Sequence, residues 1–181
     1  MRQRKNRIGI LGGSFNPPHL GHVGICETVL AQKLVDAVWV IPCFEHPFNK
    51  KLVSFEHRFE MCLLAFEEFG SSVRVSDIEK KMGGKSYTLK TVETLQKKYP
   101  EQDFVLILGQ DAASEAKTWH RYLDLRKALS WVVLPRGPHS PIPDVSAMDI
   151  RERLEQGLSV KDVVPGSVVQ FIQDHGLWTK D

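Results

Sequence analysis

The sequence predicts an α/β fold, a doubly wound, Rossmann-like parallel sheet of about five strands with C-terminal helices. Three observations predict it. Short apolar, β-prone runs without alternation recur along the chain, as strands covered on both faces do. Segments of helical period stand between them, which calls for parallel strands joined by crossover helices. The residues suited to chemistry cluster just after the strands, where such folds bind ligands.

Each element can be justified in order. Arg7 to Leu11 is a short apolar first strand, followed by a glycine- and proline-rich loop from Gly12 to Pro18. A first helix is expected from about Leu20 to Leu34, with Val23, Cys26 and Leu30 on one face. Ala37 to Ile41 is a second strand, stopped by Pro42, and Cys43 to Ser54 is a substrate-facing loop rich in Pro and Lys. Phe55, Phe59, Cys62, Phe66 and Phe69 form one apolar stripe, so a helix is expected over Phe55–Phe69, with Arg58 on its flank as a structural residue paired with Glu60 or Asp77. Val73 to Ile78 reads as a third strand near an edge. Met82 to Lys85 is a loop, and Ser86, Tyr87 and Thr88 offer hydroxyls to cap a helix from about Leu89 to Tyr99. Phe104 to Leu108 is the most apolar strand and ends at Gly109-Gln110-Asp111. A short helical piece, Trp119 and a helix from about Tyr122 to Leu129 precede a fifth strand, Ser130 to Leu134. Arg136 to Pro143 is a loop. Helices are expected over Asp149–Gln156 and Pro165–His175, the latter capped by Gly176.

The 181 residues are read as a single domain, with residues 1–6 as a basic N-terminal tail. The net charge of +2 rests on Arg2, Arg4, Lys5 and Arg7; without them the chain is slightly acidic. Clustered Lys and Arg on the fold are absent, which argues against nucleic acid, and the tail reads as a solvated arm. Cys26, Cys43 and Cys62 have no CxxC spacing, so neither a disulfide framework nor a zinc site is expected. No apolar run reaches a membrane span and no signal-peptide core is evident, so the expected compartment is the cytoplasm. The oligomeric state is open; a homo-oligomer is compatible with the sequence.

The chemistry centres on Gly12-Gly13-Ser14-Phe15-Asn16-Pro17-Pro18-His19-Leu20-Gly21-His22. A strand, a glycine turn and a helix N-terminus bring unpaired amides and the positive end of a helix dipole together, which is an anion site. His19 and His22 add two imidazoles to it. No Walker lysine or GxGxxG is present. No third and fourth metal ligands stand at suitable spacing, so no protein-bound metal is expected. Asp111 is balanced between a helix cap and a ligand contact. One of Lys50 and Lys51 is read as functional. His46, His57, His120, His139 and His175 are read as surface or capping residues.

That stretch resembles the GGTFDPIHxGH signature of bacterial nicotinate mononucleotide adenylyltransferases, of the HxGH nucleotidyltransferase superfamily. Pro47-Phe48-Asn49-Lys50 is similar to that family's PPHK, Arg58 and Met61 to its RxxM, and Ser86 to Thr91 to its SYTvdT. Gly109-Gln110-Asp111 is similar to its GxD, Trp119 to its loop tryptophan, and Val133 to Arg136 to its strand-then-Arg segment. Ile150-Arg151 is similar to the end of its ISSTxIR, and His175 to Trp178 to its closing HGLY. The motifs keep their order across nearly the whole chain.

The resemblance implies an adenylyltransferase of NAD biosynthesis. A pyridine mononucleotide's 5′-phosphate attacks the α-phosphorus of ATP, and pyrophosphate leaves, a reaction that needs positioning and charge stabilisation. It implies that His19 and His22 donate to the α- and β-phosphates, Lys50 reaches the phosphates, and Arg151 holds the departing pyrophosphate. Backbone from Gly12, Gly13, Ser14 and Phe15 approaches the nucleotides, Gly21 and Gly109 are further nucleotide-binding positions, and Asp111 accepts from a ribose hydroxyl. Trp119 stacks on the pyridine ring, Thr88 holds its substituent, and Arg136 and Ser146 complete the nucleotide contacts. Mg²⁺ is carried by the ATP phosphates. The chain departs from the pattern at Asn16, at Asn49, and at Ala147 and Met148, where two hydroxyl donors are replaced. Nicotinamide mononucleotide, alone or with nicotinate mononucleotide, is an alternative acceptor. Phosphopantetheine adenylyl transfer is disfavoured by the SYT-like segment and Trp119. A reading from another class is a degenerate ATP-binding regulatory module.

Overall fold

A computed structural model describes residues 5–137 and 140–179. Arg2, Arg4 and His139 lie outside the described residues. The elements in order are β1 (Arg7–Gly13), α1 (Leu20–Ala31), β2 (Ala37–Pro42), α2 (Phe55–Phe66), a 3₁₀ turn (Glu67–Ser72), β3 (Val73–Val75), α3 (Ile78–Met82), α4 (Thr88–Lys98), β4 (Asp103–Gly109), α5 (Gln110–Glu115), a 3₁₀ turn (Ala116–Thr118), α6 (Tyr122–Ala128), β5 (Ser130–Leu134), α7 (Ala147–Glu155) and α8 (Gly166–Asp174). The five strands are parallel in the order β3-β2-β1-β4-β5. This is the doubly wound α/β sheet that the alternation of segments predicts.

The period of two in each strand sorts its side chains between two cores. Leu11, Val38, Val40 and Ile107 face one core with Cys26 and Val29 of α1, Met61 of α2, Ile150 of α7 and Ile172 of α8. Ile8, Ile10, Trp39, Ile41, Leu106 and Leu108 face the other with Ile78 of α3, Val92 of α4 and Leu125 of α6. Winding reverses between β1 and β4, the two central strands, so their C-terminal ends open a crevice.

Several boundaries differ from the sequence reading. The first helix ends at Ala31 because Lys33 turns left-handed at φ 53°, and the amides of Lys33 and Leu34 close on the carbonyls of Leu30 and Val29. The same closure at α8 uses Gly176, as expected, with Gly176 and Leu177 donating to Gln173 and Ile172. The second helix gives way at Glu67 to a 3₁₀ turn that is kinked at Gly70. The third strand stops at Val75, and Ile78 begins a short helix instead. Pro42 belongs to β2, opposite Gly13. No side-chain hydroxyl caps α4; that of Ser86 accepts from the Phe44 amide at 2.9 Å. Helix α7 starts two residues early, on a Ser146 cap. Among the described residues, no helix is long and apolar enough to cross a membrane.

Candidate active site

The β1–α1 turn is held from several directions. Phe15 adopts φ 48° and is 2% exposed, with its ring against His22 and Phe66. Arg58 is 1% exposed and donates to the carbonyls of Ser14 at 2.9 Å, Val53 at 3.0 Å and Phe44 at 3.4 Å. It is structural as expected, but its partners are backbone carbonyls and not Glu60 or Asp77, because it points inward from α2. Asn16 is buried, and its side-chain oxygen accepts from the Val53 amide at 3.1 Å. The departure at Asn16 therefore sits in a loop contact.

His19 is the N-cap of α1 and His22 lies in its first turn. Their rings stack at 3.8 Å between centroids, and His22 Nδ1 accepts from the His19 amide at 3.2 Å. With Nδ1 occupied as an acceptor, the neutral His22 ring carries its proton on Nε2. Burial lowers the His19 pKa to about 4, with the Arg136 charge adding to it. Burial, then His19, then Arg136 hold the His22 pKa well below its ordinary value. Both rings are neutral near pH 7. His19 Nδ1 is buried without a partner among the described residues. A Cβ at Gly21 would come within 2.9 Å of that atom and 3.1 Å of the Pro143 carbonyl, so the close approach there demands glycine.

Two cavities open at the crevice. The first, of about 290 Å³, runs between His19 and His22 on one side and Asp111 and Arg136 on the other, with Gly21 and Gly109 in its wall. Arg136 crosses it, donating to Asp111 at 2.6 Å and to the Val145 carbonyl at 3.0 Å, with Asp144 at 3.6 Å. Asp111 is thus no helix cap: Gly109 holds that position, and the Asp111 carboxylate pairs across the cavity. The second cavity, of about 540 Å³, is lined by Gly13, Ser14, Lys50, Thr88 and Trp119, with Phe48 at its edge. Gly12, Leu108, Ala112 and Glu115 border both. A Cβ at Gly12 or Gly109 would meet no atom within 4 Å, so both glycines face open space.

Three residues singled out from the sequence line neither cavity. Phe15 is core. The Ser146 hydroxyl accepts from the Met148 amide at 3.2 Å as the cap of α7. Arg151 Nη1 donates to the Asn16 carbonyl at 2.8 Å and to that of Ala147 at 3.0 Å, which ties α7 to the β1–α1 turn.

Two of the histidines read as surface or capping residues line the second cavity, and His120 is exposed as read. His46 is half-buried and lines the second cavity, its pKa lowered by burial and by Lys50. His120 lines the same cavity with its ring 4.7 Å from that of Tyr87. His175 stacks on Phe171, with His57 at its edge, outside both cavities. Sequence reasoning missed Glu79, which is 8% exposed and lines the second cavity. A lone acid in an unremarkable segment carries no signal in sequence. Among the described residues, no group of three His, Cys, Asp or Glu side chains could hold a metal ion.

Comparisons with known proteins place the chain in a family. The cytidylyltransferase-like family model matches residues 10–153. A relative from Anaeromyxobacter dehalogenans, named "Probable nicotinate-nucleotide adenylyltransferase", is 37% identical, the match covering 94% of this chain and 96% of the relative. One of the same name from Thermotoga maritima is also 37% identical, over 93% of this chain and 91% of its own. The solved structure of Plasmodium falciparum nicotinic acid mononucleotide adenylyltransferase complexed with NaAD superposes with a TM-score of 0.79 at 18% identity, covering 96% of this chain and 97% of that one, and so shares the fold. The chain therefore belongs to the cytidylyltransferase-like family, among its nicotinate-nucleotide adenylyltransferases.

Proposed function

We propose that the chain transfers AMP from ATP to nicotinate mononucleotide, giving deamido-NAD and pyrophosphate. The observation that carries the residue assignment is the pair of cavities meeting at Gly12, with a neutral histidine pair in the wall of one of them. ATP occupies the first cavity and the mononucleotide the second. The 5′-phosphate oxygen forms a bond to the α-phosphorus as the bond from that phosphorus to the β-bridging oxygen breaks, and the electron pair leaves with pyrophosphate.

Neutral rings suit this step. A neutral His22 presents Nε2–H as a fixed donor to phosphate oxygens that gain charge in the transition state. His19, stacked beneath it, donates to the neighbouring phosphate. Lys50 lies across the second cavity and steers the attacking phosphate. Arg151 lines neither cavity but spends only Nη1 on the two carbonyls, so its other donors serve the departing pyrophosphate where the phosphate tail extends past the first cavity toward α7. Asp111 Oδ2 holds Arg136, and its other oxygen accepts from the ATP ribose. Trp119 stacks on the pyridine ring, with Thr88 at its substituent. Backbone of Gly12, Gly13 and Ser14 bounds the path between the substrates, Gly109 keeps space open beside it, and Gly21 admits the His19 ring. Ser146 acts through the α7 N-terminus that it caps, and Phe15 through the packing of His22. Mg²⁺ bound to the ATP phosphates would neutralise charge there.

Pyrophosphate release by the purified chain with ATP, Mg²⁺ and each mononucleotide tests the proposal. Turnover with nicotinate mononucleotide is expected to exceed that with nicotinamide mononucleotide. Release with neither overturns the reading, and ATP binding without release would mark a regulatory module.

A further inference from the structure

Glu79 stands apart from the chemistry yet joins the loop after β2 to helix α4, two of the segments beside the second cavity. It accepts from the Thr91 hydroxyl of α4 at 2.7 Å and from the Phe44 amide at 3.2 Å. The Phe44 amide also donates to the Ser86 hydroxyl at 2.9 Å, and the Ser86 amide donates back to the Glu45 carbonyl at 2.9 Å. Glu45 and Lys85 form a lone parallel bridge beside them. On the other side, Arg58 takes the Phe44 carbonyl. The main chain at Phe44 is therefore gripped by a buried carboxylate and a buried guanidinium at once. The loop after β2, which carries Phe48 and Lys50, is stitched there to the segment carrying Ser86 and Thr88. A carboxylate suits this position because it accepts from several donors and offers none.

We propose that Glu79 is a positioning residue for mononucleotide binding: through Phe44 and Thr91 it fixes the spacing of the two loops that form the second cavity. The proposal rests on the assignment of that cavity to the mononucleotide. Glu79 lines only the second cavity, so its effect falls on one substrate.

Steady-state kinetics and amide hydrogen exchange on the full chain test it, with E79A, T91V and E79Q. A lost buried acceptor leaves donors unsatisfied, so E79A is expected to raise the mononucleotide KM about tenfold, with the ATP KM and kcat changed by less than about twofold. Exchange in peptides covering residues 43–48 and 83–88 should quicken. Thr91 is 3% exposed and lines neither cavity; T91V is expected to raise the same KM about threefold by freeing the carboxylate. E79Q keeps an acceptor for the Phe44 amide, and the Thr91 hydroxyl can donate to the Tyr87 carbonyl, already 3.4 Å away. It should therefore stay within about twofold of wild type. If E79A does not fold, T91V and E79Q decide.

An unchanged mononucleotide KM in E79A or T91V overturns the proposal. So does a joint rise in both KM values with a fall in kcat, or an E79Q as impaired as E79A. If the wild-type chain turns over no mononucleotide, the functional reading fails and takes the proposal with it. Unchanged exchange in E79A would mean instead that the stitching itself is wrong.

Discussion

The two cavities on either side of Gly12 are built differently. Regular structure makes most of the first: the ends of β1 and β4, the first turn of α1, and histidines locked by stacking and by a backbone amide. Loops make much of the second, and they present an exposed Lys50 and a Phe48 that is 65% exposed. Rigid walls suit the side where charge develops, because donors must be in place before the reaction begins. Loop walls suit a side that must admit and release a ring.

The largest expected effect breaks the first side alone. His22→Ala should lower kcat by about a thousandfold, the scale of a lost transition-state donor, while the mononucleotide still binds. Rapid-quench turnover with calorimetric titration of the mononucleotide checks both halves; a kcat near wild type would remove His22 from its assigned role.

The second prediction uses the burial of the same side. The folded pKa of His19, about 4, lies below its ordinary 6.5. The unfolded chain therefore binds the proton more readily, and stability falls as pH drops from 6.5 toward 4. The loss from this residue alone should be on the order of 3 kcal/mol at the acid end. His22, shifted the same way, adds to it. Urea unfolding at pH 7 and pH 4.5 measures this, and His19→Gln should flatten the dependence.

On the loop side, Trp119→Ala should raise the mononucleotide KM about tenfold with little change in the ATP KM, as lost stacking would. Equal effects on both substrates would blur the division between the cavities.

The smallest effect is a control outside both. Lys33→Gly places the preferred residue at the left-handed end of α1, and should stabilise the chain by roughly 0.5–1 kcal/mol in thermal melts without altering either KM.

The same contrast explains what could be read from sequence. The strand from Ser130 to Leu134 agrees with its sequence reading to the residue, because a β-prone run stopped by Pro135 is a local signal. The β1 turn was legible for the same reason: glycine and histidine there answer to local geometry. The Lys33 closure was not, since the usual glycine signal is missing and tertiary packing enforces the turn. Nor were the roles of Arg58 and Glu79, because burying a charge depends on donors and acceptors brought from distant segments. Asp111 was legible as a residue of interest, but its pairing with Arg136 joins positions 25 apart.

The bare backbone at Gly12 has a consequence for the product. Two substrates that meet across a wall without a side chain become one molecule anchored at both ends. Joining them turns two separate binding events into one with a high effective concentration for the second. On the proposed placement of the substrates, deamido-NAD is expected to bind more tightly than either precursor, with escape of the finished dinucleotide as the expected slow step of the cycle.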